Sequence, residues 1–126
     1  MNKKEIIKRL NELPIPKTEY WVITGSALVL HNIKEETSDI DLGCTTNLIN
    51  ELIKLGYDYK ILKDYTRYIK YNQNIEIYEN WIYDKIEYIE EIPVISINGL
   101  IEMKTNLGRP KDIEDINLIK NYLKKN

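Results

Sequence analysis

Four consecutive apolar residues, Tyr20-Trp21-Val22-Ile23, run straight into Thr24-Gly25-Ser26. A short unbroken apolar run bounded by turn residues reads as a buried strand, and such a strand requires a sheet covered on both faces. The rest of the chain must supply both the neighbouring strands and the cover. Lys3 to Leu13 supplies one helix, with Ile6, Ile7, Leu10 and Leu13 at helical spacing before Pro14 and Pro16 stop it. A second helix is expected over 27–33. Ser38-Asp39-Ile40-Asp41-Leu42 alternates polar and apolar residues and predicts a strand closed by Gly43. Residues 47–55 predict a third helix, stopped by Gly56.

From Tyr57 to Tyr78, short Tyr- and Ile-rich segments broken by Lys63-Asp64 and Asn72-Gln73-Asn74 predict two or three antiparallel strands joined by hairpins. Residues 79–91 are ambiguous, with Trp81, Ile82, Tyr83, Ile86 and Ile89 fitting a helix. Val94 to Ile97 predicts a last strand. Two helices follow, over 100–107 with Gly108 as its stop, and over 110–124 with Pro110 in its first turn. Asp112, Glu114 and Asp115 then lie near the positive end of that last helix's dipole. Strands mixed with helices and partly antiparallel make the chain an α+β or mixed α/β domain, and its 126 residues suit one domain spanning 1–126.

Composition excludes several classes. With one Cys and one His, the chain can build neither an intramolecular disulfide nor a zinc site. No apolar run approaches the length of a membrane span, and the charged N-terminal stretch does not resemble a signal peptide, so a soluble, cytoplasmic protein without a membrane step is expected. A net charge of −2 argues against nucleic-acid binding through overall charge, although a local basic patch is compatible with it. The abundance of Ile and Tyr and the absence of Phe read as coding bias, and they tilt borderline segments toward strand.

The chemistry is concentrated in residues 24–42. A strand delivers Gly25-Ser26 to the start of a helix, where free N–H groups, the dipole and the Ser26 hydroxyl can hold an anion, and Gly25 lets a phosphate approach the main chain. Asp39 and Asp41, two apart on a strand, present both carboxylates on one face with Cα atoms roughly 6.7 Å apart. That spacing can bracket a pair of divalent ions about 3.5 to 4 Å apart, as in-line phosphoryl chemistry uses, and hard oxygen ligands favour Mg²⁺. Glu76, alternating with Ile75 and Ile77, is the candidate third carboxylate and proton acceptor, provided its strand lies beside that of the aspartates.

Gly25-Ser26, Asp39-x-Asp41 and a later isolated strand acid together resemble the DNA polymerase beta-like nucleotidyltransferase superfamily. The chain is similar in particular to its minimal bacterial members, among them antitoxin-type and abortive-infection-type proteins. Residues 94–119, a strand and a helix followed by a Gly-Arg-x-Lys-Asp turn into a last helix, strengthen the resemblance. It implies a nucleotidyltransferase-like fold with a mixed twisted sheet flanked by helices. It also implies an NTP substrate held by Gly25 and Ser26, two Mg²⁺ ions (or Mn²⁺) on Asp39, Asp41 and Glu76, and phosphate or nucleotide contacts from Lys104, Arg109 and Lys111. The acceptor would be a hydroxyl of a protein, RNA or small molecule, in a toxin–antitoxin or defence setting. A homodimer or separately encoded partner would complete the site.

The third acid is Glu where these relatives more often carry Asp. This motivates an alternative, a catalytically weak nucleotide- or partner-binding module that keeps the fold and regulates another protein. For the remaining polar residues plainer roles are expected. His31 reads as a hydrogen-bonded, semi-buried residue near a helix end, and Asp112 and Asp115 as dipole partners. The many Tyr residues between 57 and 88 read as filling a sheet face, or as stacking on a base or an RNA strand.

Overall fold

The computed structural model describes residues 1–125. In chain order its elements are α1 (Lys3–Asn11), β1 (Tyr20–Ile23), α2 (Thr24–Leu30), β2 (Ile40–Cys44), α3 (Thr46–Lys54), β3 (Lys60–Ile61), β4 (Arg67–Lys70), β5 (Ile75–Glu79), β6 (Ile86–Ile89), β7 (Ile92–Ile95), α4 (Ile97–Leu107) and α5 (Pro110–Lys125). The strands form one seven-stranded sheet in the order β3-β4-β5-β2-β1-β7-β6. β2 pairs with β5 and β1 with β7 in parallel, and the other neighbours are antiparallel, so the fold is the expected mixed α+β architecture. No described helix is long and apolar enough to cross a membrane.

Period-two alternation organises the sheet. Val94, Val22, Leu42, Ile77 and Ile69 face one another across β7, β1, β2, β5 and β4, and every one is 0 % exposed. Each such burial is worth about 1.5–3 kcal/mol, and Ile6 and Leu10 of α1 and Leu48, Ile49 and Leu52 of α3 join the same core. The residues flanking this row point to the opposite face. One flanking row is Ile23, Asp41, Glu76 and Lys70, and the other is Trp21, Gly43, Tyr78, Tyr68 and Lys60.

Several boundaries differ from the sequence reading. α2 begins at Thr24 and ends before Ile33, and β2 runs Ile40–Cys44 with Gly43 inside it instead of closing it. Gly43 is required there because a Cβ would stand 2.2 Å from Trp21 Nε1 and 2.8 Å from the Trp81 carbonyl, which are joined over it by a 2.7 Å hydrogen bond. The helix considered over 79–91 is instead the end of β5, a loop over 80–85, and β6 with its turn into β7. Ile89 pairs with Ile92 across Glu90-Glu91, both at positive φ (48° and 68°), as a two-residue hairpin loop demands. Two glutamates carry none of the Asn-Gly or Asp-Gly signal of such turns, so the pattern was hidden. The last strand begins at Ile92 with Pro93 inside it, and α4, capped by Ser96, starts at Ile97, three residues before the expected start.

Candidate active site

The sheet face bearing Asp41 and Glu76 opens into a cleft of about 420 Å³, closed from the other side by α4, α5 and the loop after α2. Asp39, Asp41 and Glu76 line its sheet side, and the rest of the lining carries both signs, Lys34, Lys104, Arg109 and Lys111 together with Glu114 and Asp115.

Asp41 is the centre of this site. Its backbone N–H donates to Ser26 Oγ at 3.2 Å, and its Oδ2 accepts the Thr24 hydroxyl at 2.5 Å. Its Oδ1 is buried and has no partner among the described residues. Burial pushes the Asp41 carboxyl above its ordinary pKa; the Thr24 hydrogen bond opposes this, Glu76 and Asp39 add repulsion, and Lys111 relieves some of it. An orphaned, buried carboxylate oxygen beside two further acids is an arrangement that a hard cation would satisfy. Thr24, which holds the other oxygen, has φ 55°, a left-handed conformation that a β-branched residue adopts only at a cost of about 1–3 kcal/mol. The strain sits at the point where β1 hands the chain to α2.

The parallel β2–β5 pairing sets Glu76 directly beside Asp41, the neighbour relation on which its candidacy depended. Its two oxygens accept hydrogen bonds from the Tyr68 hydroxyl (3.0 Å) and the Tyr78 hydroxyl (3.2 Å). Burial and Glu76 raise the pKa of both tyrosines, Tyr68 to about 12, so they stay protonated donors. Among the described residues no three His, Cys, Asp or Glu side chains form a preassembled metal cage, while Asp39, Asp41 and Glu76 line one cleft. Each Glu76 oxygen keeps acceptor capacity, since a carboxylate offers about four lone-pair sites. Asp39 lies just before β2, exposed at the cleft mouth, with its Oδ2 accepting from Ser38 Oγ at 3.4 Å.

The anion-binding side departs further from expectation. Ser26 is fully buried, and its hydroxyl donates to the Ile23 carbonyl at 2.9 Å while accepting from Asp41 N–H. It ties the β1–α2 turn to β2 and does not point its hydroxyl into the cleft. Gly25 lines the cleft as expected, together with Thr24. Lys104 is only 2 % exposed, and its Nζ donates to Asp115 at 2.9 Å and stands 3.7 Å from Asp112. Asp112 in turn takes Nε (2.6 Å) and Nη2 (3.1 Å) of Arg109, and Asp115 takes Lys34 at 3.0 Å. Burial alone would raise both aspartates, but hydrogen bonds from Arg109 to Asp112, and from Lys104 and Lys34 to Asp115, more than offset it and leave both below their ordinary pKa. Asp112 and Asp115 are therefore buried counter-ions that hold Arg109 and Lys34 at the cleft wall, a role beyond that of dipole partners. Lys111 is exposed at the cleft and has no ion pair among the described residues.

His31 caps α2 with Nε2–H donating to the Ile95 carbonyl at 2.8 Å, the plain role expected of it. Thr24, Lys34, Tyr68, Tyr78 and Trp81 were not singled out from sequence as site residues. Thr24 could have been read from its place before Gly25-Ser26, whereas the others depend on tertiary packing. Trp81 stacks on Tyr78 with ring centroids 4.3 Å apart, extending an aromatic row along the cleft floor.

No protein family and no curated protein matches the sequence. Among solved structures, a Thermotoga maritima protein titled a "putative nucleotidyltransferase" superposes with a TM-score of 0.62 at 16 % identity, over 100 % of this chain and 97 % of that one. At that identity the likeness establishes a nucleotidyltransferase-like fold.

Proposed function

We propose that this chain is a divalent-metal-dependent nucleotidyltransferase. It takes an NTP, transfers the nucleoside monophosphate to an acceptor hydroxyl and releases pyrophosphate. The observation that carries this reading is the partnerless buried Oδ1 of Asp41, on the strand position beside Glu76, in a cleft of about 420 Å³ that Lys34, Arg109 and Lys111 also line. The fold shared with the Thermotoga maritima protein supports it.

Asp39 and Asp41 would hold Mg²⁺, or Mn²⁺ in its place, with water and phosphate oxygens filling the remaining positions. Bound there, the ion would supply charge neutralisation on the phosphates and a more acidic acceptor hydroxyl. Lys34, Arg109 and Lys111 draw in the triphosphate, with the first two fixed in direction by Asp115 and Asp112. The first-turn N–H groups of Thr24, Gly25 and Ser26 add main-chain donors, so Gly25-Ser26 keeps a part in nucleotide binding through its backbone. Lys104, buried against Asp112 and Asp115, on this reading positions its neighbours at the cleft wall. Glu76 accepts the proton of the acceptor hydroxyl as its oxygen bonds to the α-phosphorus. The bond from that phosphorus to the β-bridging oxygen breaks, and pyrophosphate leaves with the electron pair. Positioning and electrostatics supply most of such catalysis, and no covalent nucleophile is needed. The setting we propose is cytoplasmic, in a toxin–antitoxin or defence pair, with a second copy or a separate partner completing the site.

One observation favours a second reading. With both Glu76 oxygens held by tyrosines, the chain would be a weakly catalytic nucleotide-binding module that regulates a partner. Incubation with Mg²⁺ and each α-labelled NTP, alone and with RNA or protein from a lysate, separates the two. Label transfer and pyrophosphate release that vanish in Asp39→Asn plus Asp41→Asn support the enzyme. Nucleotide binding seen by tryptophan fluorescence without either product supports the module.

A further inference from the structure

The two residue rows on the open face of the sheet do not end at the cleft. The carboxylate row passes from Asp41 to Glu76 and then to Lys70, and the aromatic row from Tyr78 to Tyr68 and then to Lys60. Both lead to the β3 edge, where an open groove of about 680 Å³ lies between residues 56–60 and the β4–β5 hairpin. Tyr68 belongs to both places: its ring lines this groove and its hydroxyl holds Glu76. At the usual strand spacing of about 4.8 Å, the path from Lys60 to Asp41 crosses three spacings, roughly 14 Å.

The groove's chemistry is distinct from the cleft's. Lys60 and Lys70 are exposed and make no ion pair among the described residues, and Asp58 is the only acidic residue beside them in the lining. Tyr59, 46 % exposed, supplies open ring surface, while Tyr57 and Tyr68 line the groove with one side packed on Tyr71 and Tyr78 respectively. Two unpaired lysines beside tyrosine rings in an open groove are what a single-stranded nucleic acid recognises: phosphates meet the lysines and bases stack on the rings.

We propose that this groove binds the acceptor, and that the acceptor is a single-stranded nucleic acid whose terminal hydroxyl is delivered to Glu76 along the Tyr68–Tyr78 row. This rests on the nucleotidyltransferase reading and names the acceptor class that reading leaves open. The transfer step is the one described above, with the strand's terminal oxygen as nucleophile.

The test uses the full chain and fluorescein-labelled single-stranded RNA, single-stranded DNA and duplex oligonucleotides, with binding read by anisotropy across a salt series. Wild type binds the single strands, and its logarithmic salt dependence falls by about 1.4 in Lys60→Gln plus Lys70→Gln, at about 0.7 per phosphate released. Tyr59→Ala weakens binding by about tenfold, within the range for one lost base stack. Both variants keep wild-type Mg·NTP binding by tryptophan fluorescence, because neither alters the cleft. With α-labelled NTP, the label appears on the oligonucleotide terminus and diminishes in the same variants. No single-strand binding by wild type, unchanged binding in the variants, or label carried only by a protein overturns the proposal. If Mg·NTP binding and pyrophosphate release persist in those cases, the acceptor assignment alone has failed. If single strands bind in a lysine-dependent manner but nucleotide does not, the groove stands and the transferase reading falls.

Discussion

Replacing Asp41 by Asn should make the metal-free protein more stable while abolishing transfer. Asp41 Oδ1 is buried without a partner, and its nearest charged neighbours on the sheet are the repelling Glu76 and Asp39. A buried ionised group with an unmade hydrogen bond costs about 1–3 kcal/mol or more. Asn keeps the volume and can still accept the Thr24 hydroxyl, but it carries no charge to desolvate or repel. Part of the gain is lost because its NH₂ also needs a partner, so we expect a net stabilisation of about 1 kcal/mol, a rise in Tm of about 3–6 °C for a domain of this size. The assay is urea and thermal unfolding in EDTA, with an unchanged m-value as the sign that only native-state stability has moved. Added Mg²⁺ should then stabilise wild type, by about 1.4 kcal/mol at ten times its Kd, and leave the Asn variant where it was. An Asn variant less stable than wild type in EDTA, or equally stabilised by Mg²⁺, would refute the argument that Asp41 is held in strain for a cation.

Lys104→Met removes a cation from two buried carboxylates, a change that costs about 3–5 kcal/mol when no other partner remains. Because Arg109 and Lys34 stay on Asp112 and Asp115, we expect about 2–3 kcal/mol in urea unfolding, and a loss below about 0.5 kcal/mol would show the pair to be idle. Arg67 grips Glu79 through Nε and Nη2 at 2.9 and 2.8 Å and pulls its pKa from an ordinary 4.5 down to about 2. A depressed carboxylate stabilises the fold above its unfolded pKa and loses that contribution as pH falls through the folded value, so stability should drop between about pH 4.5 and 2, and Glu79→Gln should flatten that limb of the curve. Gly43→Val drives side-chain atoms into Trp21 and the Trp81 carbonyl. It should cost about 3 kcal/mol from overpacking and the lost hydrogen bond, and it should shift tryptophan emission to the red; an unshifted spectrum would mean that the indole contact is dispensable.

The elements that were legible in the sequence are those whose signals are local. The apolar run 20–23, the helices with Gly or Pro at their ends and the Tyr-rich strands from 57 to 78 all follow from periodicity and turn residues within a few positions. The β6–β7 hairpin was not legible, because its turn is Glu90-Glu91, forced to positive φ by the pairing of Ile89 with Ile92. The position of Gly43 inside β2 depends on Trp21 and Trp81, one on the neighbouring strand and one in a loop beyond β5. Neither relation exists until the sheet has formed.

The same division explains which parts of the site could be read in advance. Carboxylates placed on strands inherit their direction from a fixed two-residue period, so Asp41 and Glu76 had to share a face once β2 and β5 paired. Cations on long side chains inherit nothing of the kind, since Lys and Arg reach several ångströms from their backbone in directions set by whatever acid is nearest. Lys104 shows the consequence: as an expected phosphate ligand it would face solvent, but Asp112 and Asp115, one and two turns along a neighbouring helix, draw it inside. Those two acids then have capacity left for Arg109 and Lys34, which remain at the cleft. A near-neutral chain thus brings both signs to one cleft, with Asp41 and Glu76 anchored by the sheet and Arg109 and Lys34 held by buried aspartates.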